Sequence, residues 1–147
     1  MVTIKNLILR KEESMDDKIE SLVEQYGTRD PFELVEKMDL FLDYEPLGQN
    51  INGYYFARGD TKLIVLNSQL PRHVQRFTLG HELAHHLLHA NTNAMLLSMT
   101  ARQEYEADRF SIHLLLSELE LKEHPERSID DWAAILGLPR EVIELRF

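Results

Sequence analysis

The sequence contains no cysteine among its 147 residues. Disulfide bonds and thiolate metal ligands are therefore excluded, and any metal ion must be held by histidine, aspartate or glutamate. The sequence also lacks an apolar run near the roughly 20 residues that span a bilayer. Within residues 1–17 the sequence becomes strongly polar before any apolar stretch is long enough to form the core of a signal peptide. We therefore expect a cytoplasmic protein that does not insert into a membrane.

Basic side chains are scarce in this chain. The 16 lysines and arginines stand against 25 aspartates and glutamates, which gives a formal net charge of −9. Tight sequence-independent binding to DNA or to an anionic membrane relies on many cationic contacts. We therefore expect no direct binding to nucleic acid. The negative charge is compatible with a basic protein partner, although many acidic proteins have none.

The composition is that of one folded domain. Hydrophobic residues make up 44% and charged residues 28% of the chain, which is usual for globular proteins, and the length suits a single domain over residues 1–147. Helix-start signals and strand patterns divide the first half into two helices and three strands, at 14–27, 30–38, 40–47, 53–57 and 62–67. The last two strands form a hairpin whose turn is the Arg-Gly-Asp sequence at 58–60.

The second half of the chain is predicted to be helical. Its patterns indicate four helices, at about 68–90, 100–116, 128–137 and 139–147. The last two form a closing helix pair at about 128–147. The predicted fold class is therefore α+β, mostly helical with a small antiparallel sheet.

The long helix carries the sequence His81-Glu82-Leu83-Ala84-His85, an HExxH motif. On a helix, positions i and i+4 share one face with about 6 Å between their Cβ atoms, so His81 and His85 can converge on one tetrahedral ion. Glu82 points to a different side, but it can still reach a water molecule at an open coordination position and take its proton.

The remaining positions of this helix are apolar, since leucine or alanine occupies positions 79, 83, 84, 87 and 88. A helix that is apolar over most of its circumference is buried. Inward-facing histidines and a glutamate are costly there unless they have partners, and metal binding removes that cost. His89 lies about 12 Å from His81 along the axis and cannot share its ion. We expect His86 and His89 at rim or solvent positions.

The third ligand is expected from the following helix. Glu104 and Asp108 lie one turn apart on a common face, so one can bind the ion while the other accepts the ring N–H of a ligand histidine. Glu106 points away from Glu104 and is expected to be solvated. The alternative is that the two carboxylates form ion pairs with neighbouring arginines, such as Arg102 or Arg109.

These segments resemble a known family. "RFTLGHELAHHLLH" (76–89) followed by "EYEADRFSIHLL" (104–115) is similar to the ImmA/IrrE-type metallopeptidases, which are gluzincin-like. The resemblance implies a zincin-like fold with an HExxH active-site helix. It also implies one zinc ion per chain, bound by His81, His85 and Glu104, with Glu82 as the catalytic glutamate. Asp108 matches the family's Asn/Asp position. His113 and Ser111 depart from the family pattern.

The resemblance also implies a function. Several family members relieve repression by cleaving a helix–turn–helix repressor of a phage or mobile element, so we expect a zinc-dependent endopeptidase with such a repressor as its protein substrate. Two histidines and a glutamate also bind manganese, cobalt or nickel. In this hypothesis Glu82 takes a proton from the attacking water, and an extended substrate segment pairs with an edge strand within 53–57.

The chemistry also calls for a donor that stabilises the oxyanion. The sequence offers four candidates and does not choose among them: Tyr54, Tyr55, Tyr105 and His113.

Two other functions are compatible with parts of the sequence. The chain can be a non-proteolytic regulator that uses the metal fold to bind a repressor or another partner, because ligand geometry does not establish turnover. Residues 128–147 superficially resemble a DNA-binding helix–turn–helix. Their second helix offers only Arg140 and Arg146 against Glu141 and Glu144, so we favour a helical pair that covers the core.

Overall fold

The computed structural model describes residues 13–89 and 99–147. Within these ranges the chain forms seven helices and three strands. The helices are α1 (Met15–Tyr26), α2 (Pro31–Lys37), α3 (Arg72–Leu88), α4 (Ala101–Leu115), α5 (Glu118–Glu123), α6 (Ile129–Leu136) and α7 (Arg140–Glu144). The strands are β1 (Phe41–Glu45), β2 (Gly53–Arg58) and β3 (Thr61–Asn67). The α+β class is confirmed, and none of the described helices combines the length and apolarity needed to cross a membrane.

Most helices begin and end near the predicted positions, but α3 begins at Arg72 rather than at about 68, and α5 was not predicted. The Ser14 hydroxyl accepts from the backbone N–H of Asp17, and α1 ends at Gly27 with a left-handed φ of 73°. Asp30 caps α2, whose first turn contains Pro31. Reciprocal capping boxes open α4 and α6. These caps satisfy N–H groups that a helix end otherwise leaves without a partner. The predicted break between the two long helices lies outside the described residues.

The sheet is mixed, with strand order β1-β3-β2. The hairpin of β2 and β3 is antiparallel as predicted, with its turn at Gly59-Asp60. However, β1 pairs with β3 in parallel, so the expectation of a wholly antiparallel sheet was wrong. An alternating pattern specifies which side chains face the core, but not which strand is the neighbour. Strand β3 lies at the centre of the sheet. Its residues Ile64, Val65 and Leu66 are all buried, as is typical of a strand covered on both faces.

Two apolar clusters form the core. The larger one lies between the sheet and helices α1 to α4, with Ile19, Leu34 and Leu83 fully buried in it. The smaller one surrounds Trp132 and packs the closing helix pair against the end of α4. Arg146 in this pair donates to the backbone carbonyl of Leu116. The packing interpretation of residues 128–147 is therefore confirmed.

Helices α3 and α4 approach each other closely at Gly80. A Cβ atom at this position would overlap Ser111 Oγ, and the Ser111 hydroxyl donates to the Phe77 carbonyl across the interface at 2.6 Å. Glycine is required here by the neighbouring helix and not by its own backbone angles. This contact sets the distance between the HExxH helix and the carboxylates of α4.

The loop at 46–52, between β1 and β2, is held by Asn67, which is fully buried at the end of β3. Its Oδ1 accepts from the backbone N–H groups of Leu47 and Gln69 at 3.2 and 3.0 Å. Its Nδ2 donates to the carbonyls of Gly48 and Ile51 at 2.8 and 2.9 Å. One side chain therefore satisfies three backbone groups of a loop that has no regular hydrogen bonding of its own, and a fourth just after β3.

We predict that Asn67→Asp lowers the free energy of unfolding by about 3 kcal/mol, because a carboxylate is then buried at position 67 and the carbonyls of Gly48 and Ile51 lose their donor. The matched control is Asn50→Asp, which makes the same change at an exposed position of the same loop and should leave stability within about 0.5 kcal/mol. Urea denaturation of the purified variants measures both. Equal stability of the two variants would contradict the anchoring role of Asn67.

Candidate metal centre

Three ligand atoms from α3 and α4 converge on one point. His81 and His85 lie on successive turns of α3, and their Nε2 atoms are 3.1 Å apart. Glu104, in the first turn of α4, places Oε1 at 2.7 Å from His85 Nε2 and Oε2 at 3.4 Å from His81 Nε2. One ligand atom from each residue lies within 4.8 Å of the others. This spacing suits a single divalent ion with two imidazole ligands and one carboxylate.

Asp108 contacts the His81 ring at Nδ1, on the side that faces away from the ligand cluster. It lies one turn after Glu104 on α4, and its Oδ1 is 2.7 Å from His81 Nδ1. A carboxylate can only accept, so Nδ1 carries the proton and donates it to Asp108. The Nε2 atom of His81 is then left to face the cluster. The structure therefore places Asp108 against a candidate ligand and not among the ligand atoms.

Glu82 is buried beside this cluster, with 4% of its surface exposed. Its Oε2 is buried and has no hydrogen-bond partner among the described residues. An unpartnered carboxylate oxygen in a core is costly. A water molecule bound to a metal ion at this cluster would remove that cost, so the donor set and its surroundings fit a metal with an open coordination position.

The ionisation of these groups also fits a cation site. Burial raises the pKa of Glu82 to about 7. Burial and the neighbouring positive charge of His81 lower the pKa of His85 to about 4, which keeps His85 neutral. Burial opposes the charge on His81, but hydrogen bonds to Asp108 and Glu104 outweigh it and raise its pKa to about 10. Glu104, which faces His81 Nε2, is suited to hold a divalent cation in place of the proton there, while Asp108 keeps its hydrogen bond to Nδ1.

A cleft of about 390 Å³ opens onto the cluster. It is bordered by the loop that Asn67 holds, by the start of β2, by α3 and by α4. The residues that line it are Asn50, Ile51, Asn52, Gly53, Phe77, Thr78, His81, Glu82, His85, Met99, Glu104 and Asp108. At Gly53 a Cβ atom would lie 2.7 Å from the Val65 carbonyl oxygen and 2.9 Å from Thr78 Cγ2, so glycine permits β2 to approach α3 here.

The four candidate oxyanion donors lie elsewhere in the described structure. Tyr55 is buried, and its hydroxyl lies 3.0 Å from His86 Nδ1. His113 is buried with Nδ1 at 2.7 Å from the Arg109 carbonyl, while Tyr105 is exposed on α4. Tyr54 belongs to β2 but is not among the residues that line the cleft. The structure therefore brings none of the four to the cleft.

The expectation of a rim or solvent position was wrong for His89, of which only 5% is exposed. Its Nδ1 lies 2.9 Å from His85 Nδ1, and its Nε2 lies 3.4 Å from Glu106 Oε2. Glu106, expected to be solvated, is half-buried and also contacts Arg102. The available signal was the spacing, because His81, His85 and His89 recur every four residues on one face of a buried helix.

Comparison with known proteins matches residues 35–147 to the peptidase family described as the IrrE N-terminal-like domain. Bacillus phage phi105 has an uncharacterized immunity region protein 2 that is 32% identical over 87% of this chain and 85% of its own length. The radiation response metalloprotease IrrE of Deinococcus deserti is also 32% identical, over 86% of this chain, which spans 41% of that protein. The phage-like element PBSX protein XkdA of Bacillus subtilis is 23% identical over 90% of this chain and 70% of its own length.

The family match covers the HExxH helix, the carboxylates of α4 and the closing helix pair. The matched residues include the His-His-Glu cluster, which suits a metal ion. The resemblance seen in the sequence is thereby confirmed. The chain belongs to the ImmA/IrrE family of metallopeptidases.

Proposed function

We propose that this protein is a zinc-dependent endopeptidase that cleaves a helix–turn–helix repressor of a phage or mobile element. The observation that supports this most directly is the convergence of His81, His85 and Glu104 within 4.8 Å. Beside them the buried Glu82 has an unpartnered carboxylate oxygen. Ligands and an adjacent base in one cleft are the parts that hydrolysis of a peptide bond requires.

The ligand set favours one zinc ion per chain. Two imidazole nitrogens and one carboxylate oxygen form the three-ligand set of catalytic zinc sites, which keep the fourth position open. His81 and His85 are the imidazole ligands in this proposal, and Glu104 provides the carboxylate. The sequence contains no cysteine, so a thiolate cannot replace any of these three ligands. Elemental analysis of the purified protein tests the identity and the number of ions.

Each residue near the cluster has a role in the proposed mechanism. When bound, zinc supplies a Lewis acid that polarises the peptide carbonyl and lowers the pKa of water to about 7. The Glu82 carboxylate takes the proton of the attacking water and later delivers it to the nitrogen of the departing amine. Asp108 holds the His81 ring in one orientation through Nδ1 and keeps that ligand's Nε2 directed at the ion.

An extended substrate segment is proposed to bind along β2. Among the described strands, β2 pairs with β3 alone, so its other edge is free of strand partners. The strand begins at Gly53, which lines the cleft, and therefore leads directly to the proposed metal. Main-chain hydrogen bonds along such an edge hold a peptide extended and read few of its side chains. Selection of the repressor then depends on contacts away from the scissile bond.

The relatives favour a substrate connected with phages or mobile elements. The phi105 protein is named for an immunity region and the Bacillus subtilis protein for a phage-like element, while the Deinococcus relative is named a metalloprotease. Together with the family resemblance, these names support a helix–turn–helix repressor as the substrate. We propose that cleavage takes place in the cytoplasm, where such a repressor acts.

We predict that Glu82→Gln retains zinc but slows cleavage of the repressor by about 10²–10⁴-fold, because the amide cannot accept the proton of the attacking water. The measurement combines metal analysis with mass spectrometry of fragments after incubation with the repressor encoded beside the gene. Cleavage at the parent rate in zinc-loaded Glu82→Gln would rule out this assignment.

Two further variants serve as controls for this experiment. Glu104→Gln should lose both zinc and cleavage, since it changes a ligand rather than the base. Glu141→Gln removes one negative charge from an exposed position on α7 and should change neither. A loss of cleavage in Glu141→Gln would show that net charge, and not the metal centre, controls the rate.

We also predict that zinc stabilises the fold. Zinc added to the metal-free protein at a free concentration 100 times its Kd should raise the free energy of unfolding by about 2.7 kcal/mol, because only the folded chain assembles the site. Urea denaturation with and without zinc measures the difference. The variant His85→Ala should show no such stabilisation. The same increase in that variant would mean that zinc binds elsewhere.

A further inference from the structure

A chain of polar contacts extends behind His85, away from the proposed metal. His85 Nδ1 lies 2.9 Å from His89 Nδ1. On the other side of that ring, His89 Nε2 lies 3.4 Å from Glu106 Oε2. The second oxygen of Glu106 accepts from Arg102 Nε at 3.2 Å. The contacts therefore run from the ion pair of Arg102 and Glu106 on α4, through the ring of His89, to the ring of His85.

When the His89 ring carries a single proton, the chemistry of these groups determines the direction of each hydrogen bond in this series of contacts. Glu106 is paired with a guanidinium, and a carboxylate can only accept, so His89 Nε2 must carry the proton. A neutral His89 then has a lone pair at Nδ1. His85 must therefore donate from its own Nδ1, and its Nε2 then offers a lone pair to a cation that takes the place of the proton between Nε2 and Glu104. That nitrogen is the atom that faces Glu104 and His81.

Each proposed histidine ligand thus has a hydrogen-bond partner at Nδ1, the ring nitrogen that faces away from the cluster, but the two partners differ. Asp108 accepts directly from His81 Nδ1 at 2.7 Å. The carboxylate for His85 is Glu106 on α4, and it acts through the ring of His89, which lies one turn after His85 at the end of α3. Ligand histidines in metal sites commonly donate their second N–H to a carboxylate, which selects the tautomer and orients the ring. Here His89 transmits that effect from Glu106 to His85.

We infer that His89 and Glu106 are positioning residues that hold His85 in the tautomer with a free Nε2, ready for the metal. This inference rests on the proposed role of His85 as a ligand. Packing alone does not account for an imidazole at position 89. The site is buried and continues the apolar positions Leu87 and Leu88, so a leucine would fill the space without a polar group to satisfy.

Two substitutions at position 89 separate positioning from packing. His89→Leu keeps a side chain of similar bulk but removes the acceptor for His85. His89→Asn keeps an acceptor, because an asparagine Oδ1 occupies a place close to that of a histidine Nδ1, and asparagine suits the C-cap position of α3. His86→Leu is the matched control, since it removes a neighbouring histidine whose Nδ1 contacts the Tyr55 hydroxyl.

The first measurement is the zinc dissociation constant, obtained by competition with a chromogenic chelator at constant pH. We expect His89→Leu to weaken zinc binding by about 10–100-fold. His89→Asn should restore affinity close to that of the parent, and His86→Leu should leave it unchanged. Urea denaturation of the metal-free variants accounts for differences in folding. Parent-like zinc affinity in folded His89→Leu would overturn the inference, as would equal losses in the leucine and asparagine variants.

The second measurement is a spectroscopic signature that a purely structural role would not change. In the zinc-loaded parent, nitrogen-15 NMR of the imidazoles should show a protonated Nδ1 on His85 whose proton exchanges slowly with water. We expect fast exchange of that proton in His89→Leu and slow exchange in His89→Asn. Glu106→Gln removes the obligatory acceptor and should also speed the exchange. Slow exchange in all three variants would contradict the relay.

Failure of this inference differs from failure of the proposed metal site. If His85→Ala bound zinc as tightly as the parent, His85 would not be a ligand, and both the site and the relay would be overturned. If His85→Ala lost zinc binding but His89→Leu retained it with unchanged exchange, the site would stand and only the relay would be rejected.

Discussion

The close packing of α3 against α4 is the constraint on which the candidate site depends. It is possible because Gly80 has no Cβ and because the Ser111 hydroxyl satisfies the Phe77 carbonyl across the interface. The two imidazoles come from α3 and the proposed third ligand from α4. Neither helix holds a complete set, so a shift of either one by about an ångström would separate the ligand atoms. The geometry of the candidate ligands therefore rests on this contact between two helices.

Around the proposed ligands, other side chains of the protein, rather than solvent, are the hydrogen-bond partners. Asp108 holds His81, and His89 with Glu106 holds His85. Buried polar groups are costly unless each donor meets an acceptor. In this site the hydrogen bonds meet that requirement and at the same time select the ring nitrogens that face the cleft. Among the described residues around the cluster, a buried carboxylate oxygen of Glu82 has no hydrogen-bond partner, at the place where the proposed chemistry needs a base.

The cleft requires a second support on its other side. Asn67 holds the loop at 46–52 through three hydrogen bonds to its backbone, and this loop together with Gly53 forms the wall opposite α4. The sequence marks Gly53 and Asn67 only as residues near a hairpin. Their role depends on how the end of β3 meets the loop and on how β2 approaches α3, which no local pattern encodes.

The sequence by itself determined every described helix except the short α5, and the alignment of His81 with His85, because helical periodicity and capping act between residues a few positions apart. The motif also pointed to Glu104 and Asp108 as a pair on one face. Only the tertiary structure decided the parallel pairing of β1 with β3 and the burial of His89 against Glu106. Such contacts join separate elements, and their partners are selected by packing across the whole core rather than by spacing along the chain.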